Sequence, residues 1–357
     1  MGRALMKFPP FIKSIQKCDI VLKSHGICVT DILVSEHKNV LDNVVNLIVG
    51  LIGLQIGIVD LLTSIGITPD IIIGQSIGEL ICGYTDGCLT AEETIMLAYY
   101  VGLAFLKSEI IDGLMAEINL DFETMKNMCP LDIDVACYNS SHNCIVSGPT
   151  NSVRAFLAKL QNNNVLVKEV SSGGIPFHSR YVRPAKLKLL EYLNQILPEK
   201  VSPTSKWNVF SISTELCLAK YYANSLVDSV LFSEAMRFIP NNAVTIEIAP
   251  HNTLQYIFND SLKTTVTNIA LYKFCEKPNI EIFLDRIGKL YNTGLQPQIF
   301  NLYPEVKFPV SRGTPMISHL VRVIQVFYSL SIYRVFPIYI HIIILGCLSG
   351  YRQGHAL

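Results

Sequence analysis

From 41 to 63 the apolar and small residues of this chain recur at helical spacing, and the run ends at Thr63-Ser64-Ile65-Gly66. Ile67-Thr68-Pro69-Asp70 then turns the chain into Ile71-Ile72-Ile73, an unbroken apolar stretch of the kind a strand covered on both faces carries. A helical pattern resumes beyond Gly78. Another runs from Ala91 to Leu106 behind Thr90, with Glu93 three places on, the spacing of a capping box. Helix, strand, turn, helix and helix in that order predict an α/β fold with a mostly parallel sheet.

The pattern changes between 113 and 170. GLMAEI reads as a strand, DFETMKNM as a short helix, DIDVACYN and NCIVSGP as two strands, TNSVRAFLAKLQNNN as a helix and VLVKEV as a closing strand. The order β-α-β-β-α-β predicts a ferredoxin-like small subdomain inserted in a larger one. Beyond it, SSGGIPFHSRYV at 171–182 is a glycine-rich loop entering a helix-rich segment that reaches about 236. AVTIEIAPHNTLQYIF then reads as a buried strand and helix, LKTTVTNIALY as a strand, and IEIFLDRIGKLYNTG as a helix stopped by Gly294. The expected organisation is a core in two parts, 1–112 and 173–320, around an insert at 113–172, with an apolar tail at 321–357.

That tail fits none of these periods. The uncharged core from Val335 to Leu348 is shorter than the roughly 20 residues a membrane helix needs. Counting from Val323 reaches that length but places Arg334 at mid-membrane, at a cost of ~2.5–3.5 kcal/mol. The run 323–348 is therefore expected to lie outside any folded domain, with a membrane anchor as the alternative.

Composition narrows the class. Lysine plus arginine and aspartate plus glutamate both number 29, and no basic run offers nucleic acid a surface. The ten cysteines contain no C-x-x-C and no close Cys/His group, which predicts buried free thiols, no metal site and a cytoplasmic setting. The N-terminus carries no apolar signal core.

The candidate chemistry sits in IIIGQSIGEL at 71–80. Gly74-Gln75-Ser76-Ile77-Gly78 is a G-x-S-x-G turn between a strand and a helix, the setting that lifts a serine hydroxyl clear of a sheet. The following helix aims bare N–H groups at the space where an oxyanion would form. A serine hydroxyl needs a base, and the chain holds eight histidines. His178, where the insert returns to the core, and His251, at the end of a buried strand, are the serious candidates, and spacing alone leaves both open.

Over DLLTSIGITPD, IIIGQSIGELICGYTDGCLT, VACYNSSHNCIVSGP, VKEVSSGGIPFHSRY, LVDSVLF, IEIAPHNTLQ and RGTPMIS, the chain resembles the malonyl/acetyl transacylase domain of animal-type multifunctional fatty acid synthases. The resemblance implies a hydrolase-like α/β core with a ferredoxin-like insert. It implies Ser76 as the nucleophile that takes an acyl group from coenzyme A, and His178 as its base, held by a backbone carbonyl. Ile77 N–H becomes an oxyanion donor. Gln75, Val101, Phe177 and Asn139 fall at substrate-binding positions, and His251 becomes a structural residue near the site. Acyl-CoA and an acyl carrier protein, or other synthase domains, are the implied partners. No metal or redox cofactor is implied.

Three departures from that family carry expectations of their own. Gln75 replaces a histidine but keeps hydrogen-bonding capacity. Val101 replaces an arginine that forks onto the malonyl carboxylate, so malonyl handling is expected to weaken. The family also opens with a strand and a loop supplying a second oxyanion donor, and Met1-Gly2-Arg3 aligns just after it. The expectation is a sheet short of one core strand and a rate lowered by ~10²–10³, as in a fragment. An inactive fragment and an α/β serine esterase or thioesterase are the alternative functions.

Overall fold

A computed structural model describes residues 1–197, 218–272, 279–303 and 340–346. The first part of the chain is helical, with α1 (Gly2–Leu5), α2 (Pro9–Leu22), α3 (Val29–Val34) and α4 (Val44–Ser64). Strand β1 (Ile71–Ser76), α5 (Glu79–Asp86) and α6 (Ala91–Leu106) follow. Helix α4 is apolar on almost every side because it is enclosed, with α2, α3, α5 and α6 packed around it. At its closest crossing, a Cβ added to Gly102 of α6 would stand 2.6 Å from Val45 Cα, so the two backbones meet only because position 102 lacks a side chain. The capping box forms as its spacing predicts: Glu93 N–H donates to Thr90 Oγ1 at 3.1 Å, and Thr90 N–H donates back to Glu93 Oε2 at 2.8 Å.

Between 113 and 170 the elements are β2 (Gly113–Ile118), α7 (Phe122–Met128), β3 (Asp134–Ser140), β4 (Asn143–Pro149), α8 (Thr150–Asn162) and β5 (Val167–Val170). Their order is the β-α-β-β-α-β read from the pattern. The four strands pair antiparallel in the spatial order β3-β4-β2-β5, and this sheet buries a core of its own around Val146, Val153, Phe156 and Leu160.

The remaining elements return to the larger layer: α9 (Arg183–Ile196), α10 (Ala219–Ser225), α11 (Phe232–Met236), β6 (Val244–Ile248), α12 (Gln255–Ser261), β7 (Thr267–Ala270), α13 (Asn279–Asn292) and β8 (Ile340–Gly346). Among the described residues the larger sheet is parallel, in the order β1-β8-β6-β7.

One expectation is corrected here. Residues 340–346 of the apolar tail do not lie outside the fold: β8 runs between β1 and β6, pairing Ile71–Ser76 on one side and Val244–Ile248 on the other. An uncharged apolar run is what a central parallel strand requires, since such strands are covered on both faces, and that accounts for IHIIILG without a membrane. Among the described residues, β8 occupies the place between β1 and β6 in the sheet. The rest of the 323–348 run, and RGTPMIS, lie outside the described residues.

At the carboxyl end of β6, Glu247 is almost fully buried. It accepts from Gln255 Nε2 at 2.7 Å and from Leu254 N–H at 3.4 Å, stapling the turn that follows the strand. Burial nevertheless pushes its carboxyl up to about 7, against the lowering effect of those two donors. A folded-state value above the unfolded one makes a contribution that is complete below about 4.5 and lost as pH rises through 7. Glu247→Gln has no such titration. Melting curves should therefore show the variant gaining on the parent by a few degrees between pH 5 and 8; a gap that stays constant with pH would contradict this account.

Candidate active site

Ser76 is the last residue of β1 and adopts φ 56°, in the left-handed region that non-glycine residues rarely enter. The turn is closed by Gly78 N–H donating to Gln75 O at 3.0 Å. Its tightness is set by Gly74, where an added Cβ would stand 2.8 Å from Glu79 N and from Cys82 Sγ. The start of α5 thus lies directly against the end of β1. Glu79, the first residue of α5, accepts from Tyr221 Oη at 2.7 Å, which ties the helix start to α10.

The partner of Ser76 is His178. Ser76 Oγ and His178 Nε2 are 2.6 Å apart, across 102 positions of sequence. His178 also holds a left-handed backbone, φ 55°, fixed by its N–H donating to Leu226 O at 3.1 Å. On the far side of the ring, Nδ1 lies 3.0 Å from Asp228 O. A carbonyl only accepts, so Nδ1 carries the proton and Nε2 presents its lone pair to the serine hydroxyl. Burial drives the imidazole down to about 4, outweighing the contacts to the Asp228 and Ser225 main chain, which favour the charged form. The ring is therefore neutral at ordinary pH and competent as a base.

The other residues singled out from the sequence divide into three groups. Ile77, Val101 and Phe177 belong to one apolar cluster with Phe105, whose ring meets that of Phe177 edge-on at 4.9 Å. Val101 is fully buried one helical turn before Phe105, on the same face of α6. Gln75 and Asn139 are brought together: Gln75 Nε2 donates to Asn139 Oδ1 at 2.9 Å, and Asn139 Nδ2 donates to Asn143 Oδ1 at 2.9 Å. Asn143 Nδ2 continues to Glu117 Oε1 at 2.7 Å, and Tyr256 Oη donates to the same oxygen. These amides link the nucleophile strand to β3, β4 and β2. His251 Nδ1 lies 3.0 Å from Thr253 Oγ1, in the turn after β6.

Sequence reading names no residue for the carbonyl behind His178; the structure identifies it as Asp228, within the LVDSVLF segment. A cleft of about 670 Å³ opens on this side. His178, Asp228 and Leu231 stand in its wall together with Lys126, Arg180 and Arg183. Arg180 is ion-paired to Asp134 of β3, which binds the loop after His178 to the smaller sheet.

The family model described as acyl transferase domain matches residues 1–297. The highly reducing polyketide synthase srdA of Neurospora crassa is 29% identical over 274 residues, covering 71% of this chain and 12% of that protein. The 6-hydroxymellein synthase cdmE of Talaromyces verruculosus is 27% identical over 295 residues, covering 73% and 11%. The chain thus spans about a tenth of the length of these relatives. Among solved structures, the acyltransferase domain from the second module of the salinomycin polyketide synthase superposes with a TM-score of 0.75 at 19% identity, covering 88% of this chain and 75% of that one. The malonyl CoA-acyl carrier protein transacylase from Clostridium perfringens does so at 0.67 and 17%, covering 82% and 93%. At those identities the structures speak to the fold, a mixed α/β arrangement shared with acyltransferase domains.

With His178 neutral down to about pH 4, labelling of Ser76 by a fluorophosphonate should hold its rate from pH 8 to pH 5 and fall only below that. His178→Ala should slow the labelling by about 10²–10⁴. A rate that halves near pH 6.5 would mean that the ring is solvated.

Proposed function

This chain belongs to the acyl transferase domain family, and on that premise we propose that it moves an acyl group from coenzyme A to the phosphopantetheine thiol of a carrier protein through an ester on Ser76. The observation that carries the proposal is the 2.6 Å contact between Ser76 Oγ and a His178 ring whose other nitrogen is tied to a carbonyl. In the first half, Nε2 takes the hydroxyl proton as Oγ bonds to the thioester carbon. The tetrahedral oxyanion collapses, the C–S bond breaks, and the coenzyme A thiolate leaves with the proton from Nε2. In the second half, the carrier thiol gives its proton to Nε2 and its sulfur attacks the ester carbonyl. Ser76 Oγ then departs and recovers the proton. Ile77 N–H, next in the turn, is assigned to the oxyanion. The reaction draws on no cofactor beyond the thioester substrate.

Partner and substrate are part of the same reading. The cleft beside His178, with Lys126, Arg180 and Arg183 in its lining, suits the phosphate of a phosphopantetheine arm. The larger parallel sheet, with its serine at a strand-to-helix turn, supports a hydrolase-like core; the antiparallel order of the smaller sheet supports a ferredoxin-like insert. The sequence resemblance favours fatty acid synthesis, whereas the relatives named above are a highly reducing polyketide synthase and a 6-hydroxymellein synthase; one transfer step serves either setting. Val101 is assigned to selectivity. Where an arginine would pair with the malonyl carboxylate, a buried valine leaves that charge unmatched, at a cost of ~3–5 kcal/mol.

Intact-protein mass spectrometry after brief exposure to acetyl-CoA or malonyl-CoA checks this. An acetyl adduct lost in Ser76→Ala is expected, with malonyl labelling weaker by about 10²–10³. Val101→Arg, in a variant that retains its melting transition, should move the ratio toward malonyl. Equal labelling by both thioesters would remove the role given to Val101. No adduct from either would remove the transfer reaction itself.

A further inference from the structure

Among the described residues, the strand that carries Ser76 pairs with one other strand. In the order β1-β8-β6-β7, its ladder hydrogen bonds run to β8. The register pairs Ile71 with His341 and continues without a bulge to Ser76 with Gly346. Four of the six β1 residues, Ile72 to Gln75, are buried, so their main-chain groups have no access to water and must find partners in the protein. β8 is also what joins β1 to the remainder of the sheet, since it pairs in turn with Val244–Ile248 of β6. Helices α4 and α5 lie against it.

We infer that residues 340–346 are a positioning element of the active site: β8 sets the height and direction of β1, and through it the left-handed turn at Ser76. The pairing reaches the nucleophile itself, because the residue in register with Ser76 is Gly346, the last of β8. The residue paired with the nucleophile in the ladder is thus one with no side chain. A segment some 260 positions from the serine in sequence acts on the chemistry through main-chain pairing. The inference goes beyond the transfer reaction proposed above, because it requires only that Ser76 be reactive.

Main-chain geometry makes the test specific. In a parallel strand the N–H and C=O of one residue point to one neighbour and those of the next residue to the other. Of Ile342→Pro and Ile343→Pro, one therefore breaks the ladder toward β1 and the other the ladder toward β6. The variant facing β1 should slow acylation of Ser76 by acetyl-CoA, and its labelling by a fluorophosphonate, by about a hundredfold, the scale of a 1 Å misplacement. KM should change less than threefold, and Ile343→Val, which keeps the N–H, should retain the parent rate. Both proline variants folded and fully active would overturn the inference. Should either fail to fold, hydrogen exchange on the unmodified chain decides. Amides of 340–346 protected as strongly as those of 244–248 support the inference. Free exchange at 340–346 with 71–76 still protected would overturn it, because β1 would then be held by something else. Fluorophosphonate labelling separates this from the transfer reaction: a chain that labels at Ser76 but accepts no acyl group leaves the role of β8 intact.

Discussion

Two non-glycine residues in a backbone conformation that glycine favours hold this site together. Ser76 and His178 both sit at positive φ, a conformation that costs on the order of 1–3 kcal/mol each and persists only where the surroundings over-determine it. For Ser76 the determinants are the Gly78-to-Gln75 bond and the close approach of α5 over Gly74. For His178 they are the main chain of Leu226 and Asp228. The 2.6 Å contact is thus the meeting point of three segments, 71–78, 172–182 and 224–231, each fixed by hydrogen bonds of its own.

The choice of a carbonyl behind the histidine has a chemical meaning. A carboxylate there would stabilise the imidazolium and hold the proton more firmly; the Asp228 carbonyl orients the ring and leaves the charged form disfavoured. In the transfer proposed above, a proton that is weakly held on Nε2 passes readily to the departing coenzyme A thiolate in the first half and to Ser76 Oγ in the second. This suits a reaction in which the same base must serve two different sulfurs in succession.

How much of this was legible in the sequence depended on whether a residue's role leaves a local mark. The strand–turn–helix setting of Ser76, the capping box at Thr90 and the order of elements in 113–170 all follow from spacing within a few residues. The partner of Ser76 does not, because His178 reaches it across 102 positions, and only resemblance separated it from His251. Asp228 contributes a main-chain oxygen, which any residue would supply, so its identity carries no signal. The apolar tail was ambiguous for a physical reason. A membrane span and a central parallel strand both exclude water from every side, and both write the same uncharged run; register with β1 and β6 distinguishes them. Gln75 and Asn139, placed by resemblance at substrate-binding positions, are hydrogen-bonded to each other across 64 positions, a pairing that no local spacing announces.

That last pair bears on how such domains can be recombined. Gln75, Asn139, Asn143 and Glu117 form a continuous chain of side-chain amides and carboxylate from the nucleophile strand into the smaller sheet, and Tyr256 of α12 closes it from the larger layer. The smaller sheet begins and ends at neat sequence boundaries, which invites treating it as an exchangeable cassette. Its interior contact with the turn is nevertheless specific to these amides, with Gln75 Nε2 donating to Asn139 and Asn139 Nδ2 to Asn143. A graft from a relative with histidine at the position of Gln75 would bring a cassette cut for a different lock, and the mismatch would fall one residue from the reactive serine.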